Sequence, residues 1–449
     1  MARVRVVAVV ATLCLLAACS EDNAPVVQGS ASSSPTTKPA ENKASGRAGA
    51  DNADDGVADS KTCPAPSPAN GLSAQARPLS DDVQVVLYPL PDHEGQPWSQ
   101  WGIGAFADGK FFSAIGDHCG QNGNSYIYEF DPATSTLRLL ADALTVVGHQ
   151  AGAWGYGKIH ARMINGADGA IYVTTYWGSN TGLQFGSGYE GDQLLRIDPS
   201  SGQVTSLGVP IARHGVPALA SSLDGKLLFG EAVDPLSGNR DQGVFFVYDL
   251  TIRKVIFQSE KPPGTPGFRN ILVDGSGQAW YSTGDHEVAV YDPSSNSLAS
   301  EHKTIPGSFL RASTSAAPDG TVYGVTSEPD VLFKVTRDGE IHEMGRARGY
   351  TASLAMSPDG SQLFYVPDAH GDSFKQGAPV IAVDTATGTD RVVVKLNDLA
   401  EQHLDRRLGG SYDVVLDPTG SRLFIGLNAG HANQRDALGA IVLAIVNVR

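Results

Sequence analysis

The chain is short of charge, of cysteine and of long apolar runs, and each shortage removes a class of protein. Charged residues are only 18% of 449, and acidic groups outnumber basic ones, 48 to 33. A formal net charge of -15 argues against a nucleic-acid partner and against long-range capture of polyanions. No Cys-x-x-Cys, His-Glu-x-x-His or Cys-x-x-Cys-His spacing occurs, so zinc-protease and c-haem readings lack support. No Gly-rich loop opens a helix, which leaves nucleotide-binding folds unsupported. No segment reads as a long amphipathic helix, which weakens any α/β architecture. The apolar run Val6–Ala18 is too short to span a membrane as a mature helix.

What is present begins with that run. Arg3 and Arg5 precede it, and Leu16-Ala17-Ala18-Cys19 closes it. The closing tetrapeptide resembles the bacterial lipobox, which implies cleavage before Cys19 and a diacylglyceryl group on its thiol. Residues 1–19 are therefore expected to be a lipoprotein signal peptide. The mature chain is expected to be lipid-anchored to a bacterial membrane on its extracytoplasmic side. Residues 20–81 are rich in Ala, Ser, Pro, Gly, Asn and Asp, with few large apolar residues. They bury too little surface to offset ordering entropy and read as a disordered tether. Of the four cysteines, Cys63 and Cys119 are left in a compartment that permits disulfides. They form a bridge, remain as two thiols, or leave Cys119 as a ligand beside His118.

Residues 82–449 carry a repeated signal. Turns at Asp108-Gly109, Asp168-Gly169, Asp224-Gly225, Asp274-Gly275, Asp319-Gly320, Asp359-Gly360 and Thr419-Gly420 recur about every 40 to 60 residues. Each joins two short strands rich in aromatic and β-branched residues. Most units carry a second turn led by Asp, as at Asp131-Pro132, Asp198-Pro199 and Asp292-Pro293. The reading is all-β: a seven-bladed β-propeller of four-stranded antiparallel blades, A to D. The seventh unit runs out of chain after three strands. Val83-Gln84-Val85-Val86-Leu87-Tyr88 is expected to supply the fourth and close the ring.

That topology sorts residues by face. The A–B and C–D turns share one face; the B–C loops and D-to-A crossovers share the other. The B–C loops are long in blades one, two, three, six and seven and nearly absent in blades four and five. One face is therefore expected to be built up around a low gap, and function to sit there. The first strand-A residues are closest to the axis: Trp101, His160, His214, Arg269, Arg311, Tyr350 and Tyr412. Strand-B ends and B–C loops add His118, Trp177, Glu231, Asp234, His286, Glu328, His370 and His431. His, Arg and carboxylates converging on one funnel are a site hypothesis. Arg269 and Arg311 are placed to clamp a carboxylate or phosphate, or equally to neutralise Glu231, Glu328 or Asp285. His160 and His214 are placed to share a proton relay or a metal.

Two stretches carry a family likeness. Pro318-Asp319-Gly320-Thr321-Val322-Tyr323 and Leu332-Phe333-Lys334-Val335-Thr336-Arg337-Asp338-Gly339-Glu340-Ile341 resemble the repeats of streptogramin-lyase-like propellers. Ser357-Pro358-Asp359-Gly360 and Asp417-Pro418-Thr419-Gly420 are similar to the repeats of YVTN-type surface propellers. The lyase likeness implies a magnesium-assisted elimination with a His near the axis. His214 best suits the base, and Glu231 and Glu328 the metal carboxylates. Two readings follow. In the first, the loop-rich face binds a small ligand, a glycan or a protein partner. In the second, the chain is a lyase or hydrolase with His160 or His214 as general base, Arg269 and Arg311 holding an anion, and a divalent cation such as magnesium as cofactor.

Overall fold

Strand–turn units with apolar residues on both faces can only be satisfied by burial between two neighbouring sheets, and the chain does this seven times. The computed structural model describes residues 71–448 apart from 92–97, 118, 151, 179–182, 184, 237–242, 260–269, 370–371 and 432–439. All of them belong to one compact unit spanning 50–449. They form seven antiparallel sheets, four of them four-stranded and three five-stranded. Blade three is typical: Gly215–Ser221, Leu227–Val233, Gly243–Asp249 and Lys254–Gln258, in that order from first strand to last.

The turns work as their sequences dictate. In blade one, Ala107 pairs with Lys110, so Asp108-Gly109 is a two-residue hairpin loop. Both residues take positive φ, 48° and 73°, which Asp tolerates and Gly favours. The C–D turns are held by their leading aspartates. Asp131 accepts from the Ala133 amide at 2.8 Å, Asp249 from Thr251 at 2.7 Å and Asp292 from Ser294 at 2.8 Å.

The core is divided among the seams. Seven apolar clusters each join one blade to the next, from Phe112–Ile171 between blades one and two to Val380–Val442 between six and seven. Each sheet is thus buried on both faces, and its strands read as near-continuous apolar runs.

The ring closes where the sequence places the closure. Val83–Leu87 pairs along its whole length with Ala440–Asn447, from Val83 opposite Val446 to Leu87 opposite Val442. Blade seven therefore holds Arg406–Leu416, Arg422–His431 and Ala440–Asn447 from one end of the chain and Val83–Leu87 from the other.

One boundary is corrected. The tether was read as running to residue 81, yet Ser73–Gln75 already forms the outermost strand of blade one, beside Thr136–Asp142. Arg77–Pro78 pairs with Val83–Leu87. These residues lie exposed on an outer edge, so backbone hydrogen bonds order them without any apolar periodicity in the sequence. Two short helices also interrupt the strands, Ala143–Val147 and Leu396–Leu404. The second buries Leu396, Ala400 and Leu404 in the blade six–seven cluster. Among the described residues no helix is long and apolar enough to cross a membrane.

Candidate functional site

Strand A of each blade runs nearest the axis, and its loop-side residues meet neighbours from other blades there. Five of the seven residues expected at that level form one continuous run. Arg311 of blade five lies over the Tyr350 ring at 5.0 Å and the Tyr412 ring at 5.6 Å. Tyr412 packs on Trp101 at 4.5 Å, and Trp101 on His160 at 5.8 Å. His160 meets Tyr176 edge-on at 5.1 Å, and Tyr176 stacks on Trp177 at 3.9 Å. Lys158 stands 4.8 Å above the Trp101 ring. Two cations and a chain of rings from blades five, six, seven, one and two therefore share one layer.

Most of the run is buried; Tyr350 is half-exposed. Arg311 is 4% exposed. Its Nε donates to the Tyr350 hydroxyl and its Nη1 to the Ala352 carbonyl at 3.4 Å, while its buried Nη2 has no hydrogen-bond partner among the described residues. A buried guanidinium nitrogen in that setting can take an acceptor oxygen. Carboxylates stand nearby. Burial, then the charges of Asp368 and Glu328, push the Asp330 carboxyl up to about 6, against the opposing charge of Arg311. Glu328 is exposed, Asp330 half-buried. Both lie in the short connection of blade five between Val322–Ser327 and Val331–Val335. The neighbouring connection in blade four is shorter still, between Ala279–Gly284 and Glu287–Asp292. The low gap in the rim and the unsatisfied Arg311 nitrogen thus fall on the same side of the ring.

Below the run, the channel holds residues that were not singled out in the sequence. Arg162 reaches from blade two to donate to the Ser313 carbonyl of blade five at 2.8 Å. Burial lowers its pKa and the charge of Asp413 raises it. Asp413, fully buried, accepts from the Gly104 amide at 2.8 Å and from the Gln100 side chain. Burial pushes its carboxyl up to about 7, opposed by those bonds and by Arg162. Arg162 lies two residues beyond His160, in the chain leading into the Ile164–Asn165 strand, a spacing that two-residue alternation flags. A register shift between Ser411 and Asp413 breaks the same alternation in blade seven.

The remaining candidates scatter. His214 does not join the run; it follows Arg213, at φ 62°, and its Nδ1 lies 2.7 Å from the Ala212 carbonyl. His286 caps the blade-four turn, half-exposed, with Nε2 3.8 Å from Asp285. Asp234 accepts from the Leu236 amide at 2.8 Å in a loop turn. His118, Arg269 and His370 lie outside the described residues, and His431 marks the end of Arg422–His431. Cys119 is disulfide-bonded; the chain's other cysteines, Cys63 among them, lie outside the described residues.

The two expected metal carboxylates are not together. Glu328 is exposed on blade five, whereas Glu231 is 2% exposed in the seam between blades three and four. Among the described residues no three His, Cys, Asp or Glu side chains gather as a metal-holding group. The sequence carried a signal for Glu231. It alternates with Phe229, which packs toward blade four, on a doubly buried strand, so its side chain enters an apolar layer.

No protein-family model matches the chain, and no curated protein is similar to it in sequence. Solved structures do match. Virginiamycin B lyase from Staphylococcus aureus superposes with a TM-score of 0.52 at 11% identity, covering 82% of this chain and 100% of the lyase. A second streptogramin B lyase structure gives 0.52 at 12% identity, covering 83% and 100%. At that identity the likeness is one of fold, the seven-bladed propeller.

Proposed function

We propose that this protein is an envelope-tethered propeller that binds a sugar-like ring at the low gap of its loop-bearing face. The observation that carries the reading is Arg311, a buried cation between two tyrosine rings with one nitrogen that no described residue satisfies. A polyhydroxylated ring matches what surrounds it. Its apolar face packs on the half-exposed Tyr350, its hydroxyls donate to Asp330 and Glu328, and an acceptor oxygen meets Arg311. The lyase or hydrolase reading asks for a His base beside cation-holding carboxylates. His160 is enclosed between Trp101 and Tyr176, and Glu231 and Glu328 are not neighbours, so binding is the better-supported role.

The test is a panel of mono- and oligosaccharides, uronic acids included, followed by tryptophan fluorescence and calorimetry on the full-length protein. A binder is expected to lose at least about tenfold in affinity in Arg311→Met, the loss of one charge-assisted hydrogen bond. Affinity is also expected to fall between pH 7 and pH 5. Asp330, raised to about 6, is an ionised acceptor above that pH and a protonated acid below it. A panel without a binder, or one whose binder ignores Arg311→Met, removes the proposal.

Tethering rests on the Cys19 lipobox, and the Cys119 disulfide supports an oxidising compartment outside the cytoplasm. Cys19→Ser is expected to move the protein from the membrane pellet to the soluble fraction. Retention in the pellet after a carbonate wash would count against lipid anchoring.

A further inference from the structure

Glu231 is buried among Ala218, Phe245 and Tyr281, in the apolar layer that joins blade three to blade four. Both of its carboxyl oxygens are enclosed and, among the described residues, without a hydrogen-bond partner. A carboxyl in that setting must stay protonated or draw in water. Among the described residues, the titratable groups of that layer are Tyr281, stacked on Phe245 at 4.3 Å, whose hydroxyl feels the Glu231 charge, and Tyr291, 5.5 Å from Phe245, whose hydroxyl donates to Asn296 at 2.6 Å. Its own strand, Leu227–Val233, carries no other titratable side chain, and neither does Gly215–Ser221 beside it. On its other side, in Gly243–Asp249, Tyr248 packs in the blade two–three cluster and Asp249 opens the far turn. Across the seam, Asp274 is tied to the Trp280 indole at 2.9 Å.

The seam connects upward to the candidate site. Val233, two residues beyond Glu231, packs with Tyr176 and Trp177. Gly215, paired with Val233, leaves so little room that a Cβ there would lie 2.1 Å from the Trp177 ring. Tyr176 in turn touches His160, and His160 touches Trp101.

We propose that Glu231 is a proton-operated latch between blades three and four: protonated, it lets the seam seal; ionised, it recruits water, loosens the seam and shifts the aromatic run through Val233 and Gly215. Burial alone raises this carboxyl from 4.5 to about 8. A raised carboxyl favours the sealed state fully below its unfolded value, and that contribution is lost as pH climbs toward 8. The seam is therefore tight in acid and at neutrality and loosens in alkali. This holds whether or not a sugar binds.

Hydrogen–deuterium exchange on the ligand-free full-length protein between pH 6.5 and 9.5 tests it, with Val322–Ser327 of blade five as internal reference for base-catalysed chemistry. Relative to that strand, Leu227–Val233 and Ala279–Gly284 are expected to exchange at least about tenfold faster above pH 8. The tryptophan emission is expected to shift over the same range. Glu231→Gln should abolish both changes, with Glu231→Met as the second variant if the first folds poorly. Equal exchange in the three strands of the wild type overturns the latch, and so does a transition that survives in either variant. An unmoved tryptophan signal overturns the link to the aromatic run.

Discussion

With Val83, Val85 and Val86 all replaced by Asp, the full-length chain is expected to show no cooperative thermal transition and to collect in the insoluble fraction. These three side chains are 1–2% exposed and enter two seams at once. Val83 and Val85 pack with Val442, Val446 and blade six, whereas Val86 packs with Leu443 and blade one. Each buried valine stabilises by roughly 1.5 kcal/mol or more, and three buried carboxylates add a cost larger than that gain. The sum is comparable to the roughly 5–15 kcal/mol that holds a folded domain together. Losing the strand also exposes the edge of Ala440–Asn447, a template for aggregation. The control is Gln75→Gly with Arg77→Gly on the exposed strands just ahead, expected to cost at most about 1 kcal/mol. Circular dichroism melts of the two proteins decide the matter. A triple variant that melts like the wild type would mean that the ring does not depend on this closure.

Asp413→Leu is expected to cost about 3 to 5 kcal/mol, read from the urea midpoint at pH 7.5. The carboxyl links three blades' worth of groups: the Gly104 amide and Gln100 at the entry to blade one, its own strand in blade seven, and Arg162 of blade two. Its removal strands two donors and takes the opposing charge from the half-buried Arg162 guanidinium, which donates to the Ser313 carbonyl. Arg162→Leu in the same chain is expected to recover about half of the loss, because the pair then leaves no uncompensated charge. The pH dependence has a definite sign. With its carboxyl raised to about 7, Asp413 favours folding most below pH 4, and that contribution disappears as pH rises through 7. The penalty of Asp413→Leu should therefore shrink between pH 5 and pH 8. A single variant as stable as the wild type, or a double variant worse than the single, would show that the channel network carries no stability.

The seven-fold architecture was legible because its signals are local. Asp-Gly turns need positive φ, and leading aspartates cap their own turns, so both survive in the sequence without reference to the rest of the fold. The closing strand was legible by subtraction: Val83–Leu87 alternates correctly, and the last blade was one strand short. The run from Arg311 to Trp177 followed from topology, which fixes where strand A and strand B end. What stayed hidden depends on partners distant in sequence. Ser73–Gln75 is held by backbone pairing to Thr136–Arg138, and nothing in its side chains says so. His214 was placed at the axis by strand position, yet a positive φ at Arg213 bends its ring back onto Ala212. Glu231, near the end of its strand, is expected from topology in the funnel and from the lyase likeness as a metal carboxylate. Its alternation with Phe229 puts it inside the seam instead.

The strap formed by Ser73–Gln75 and Arg77–Pro78 belongs to two blades at once: Ser73–Gln75 lies beside Thr136–Asp142 in blade one, and Arg77–Pro78 lies beside Val83–Leu87 in blade seven. One short stretch of backbone thus staples the first blade to the last on the rim, outside the apolar seam between them. Parting those two blades requires breaking this staple as well as the seam.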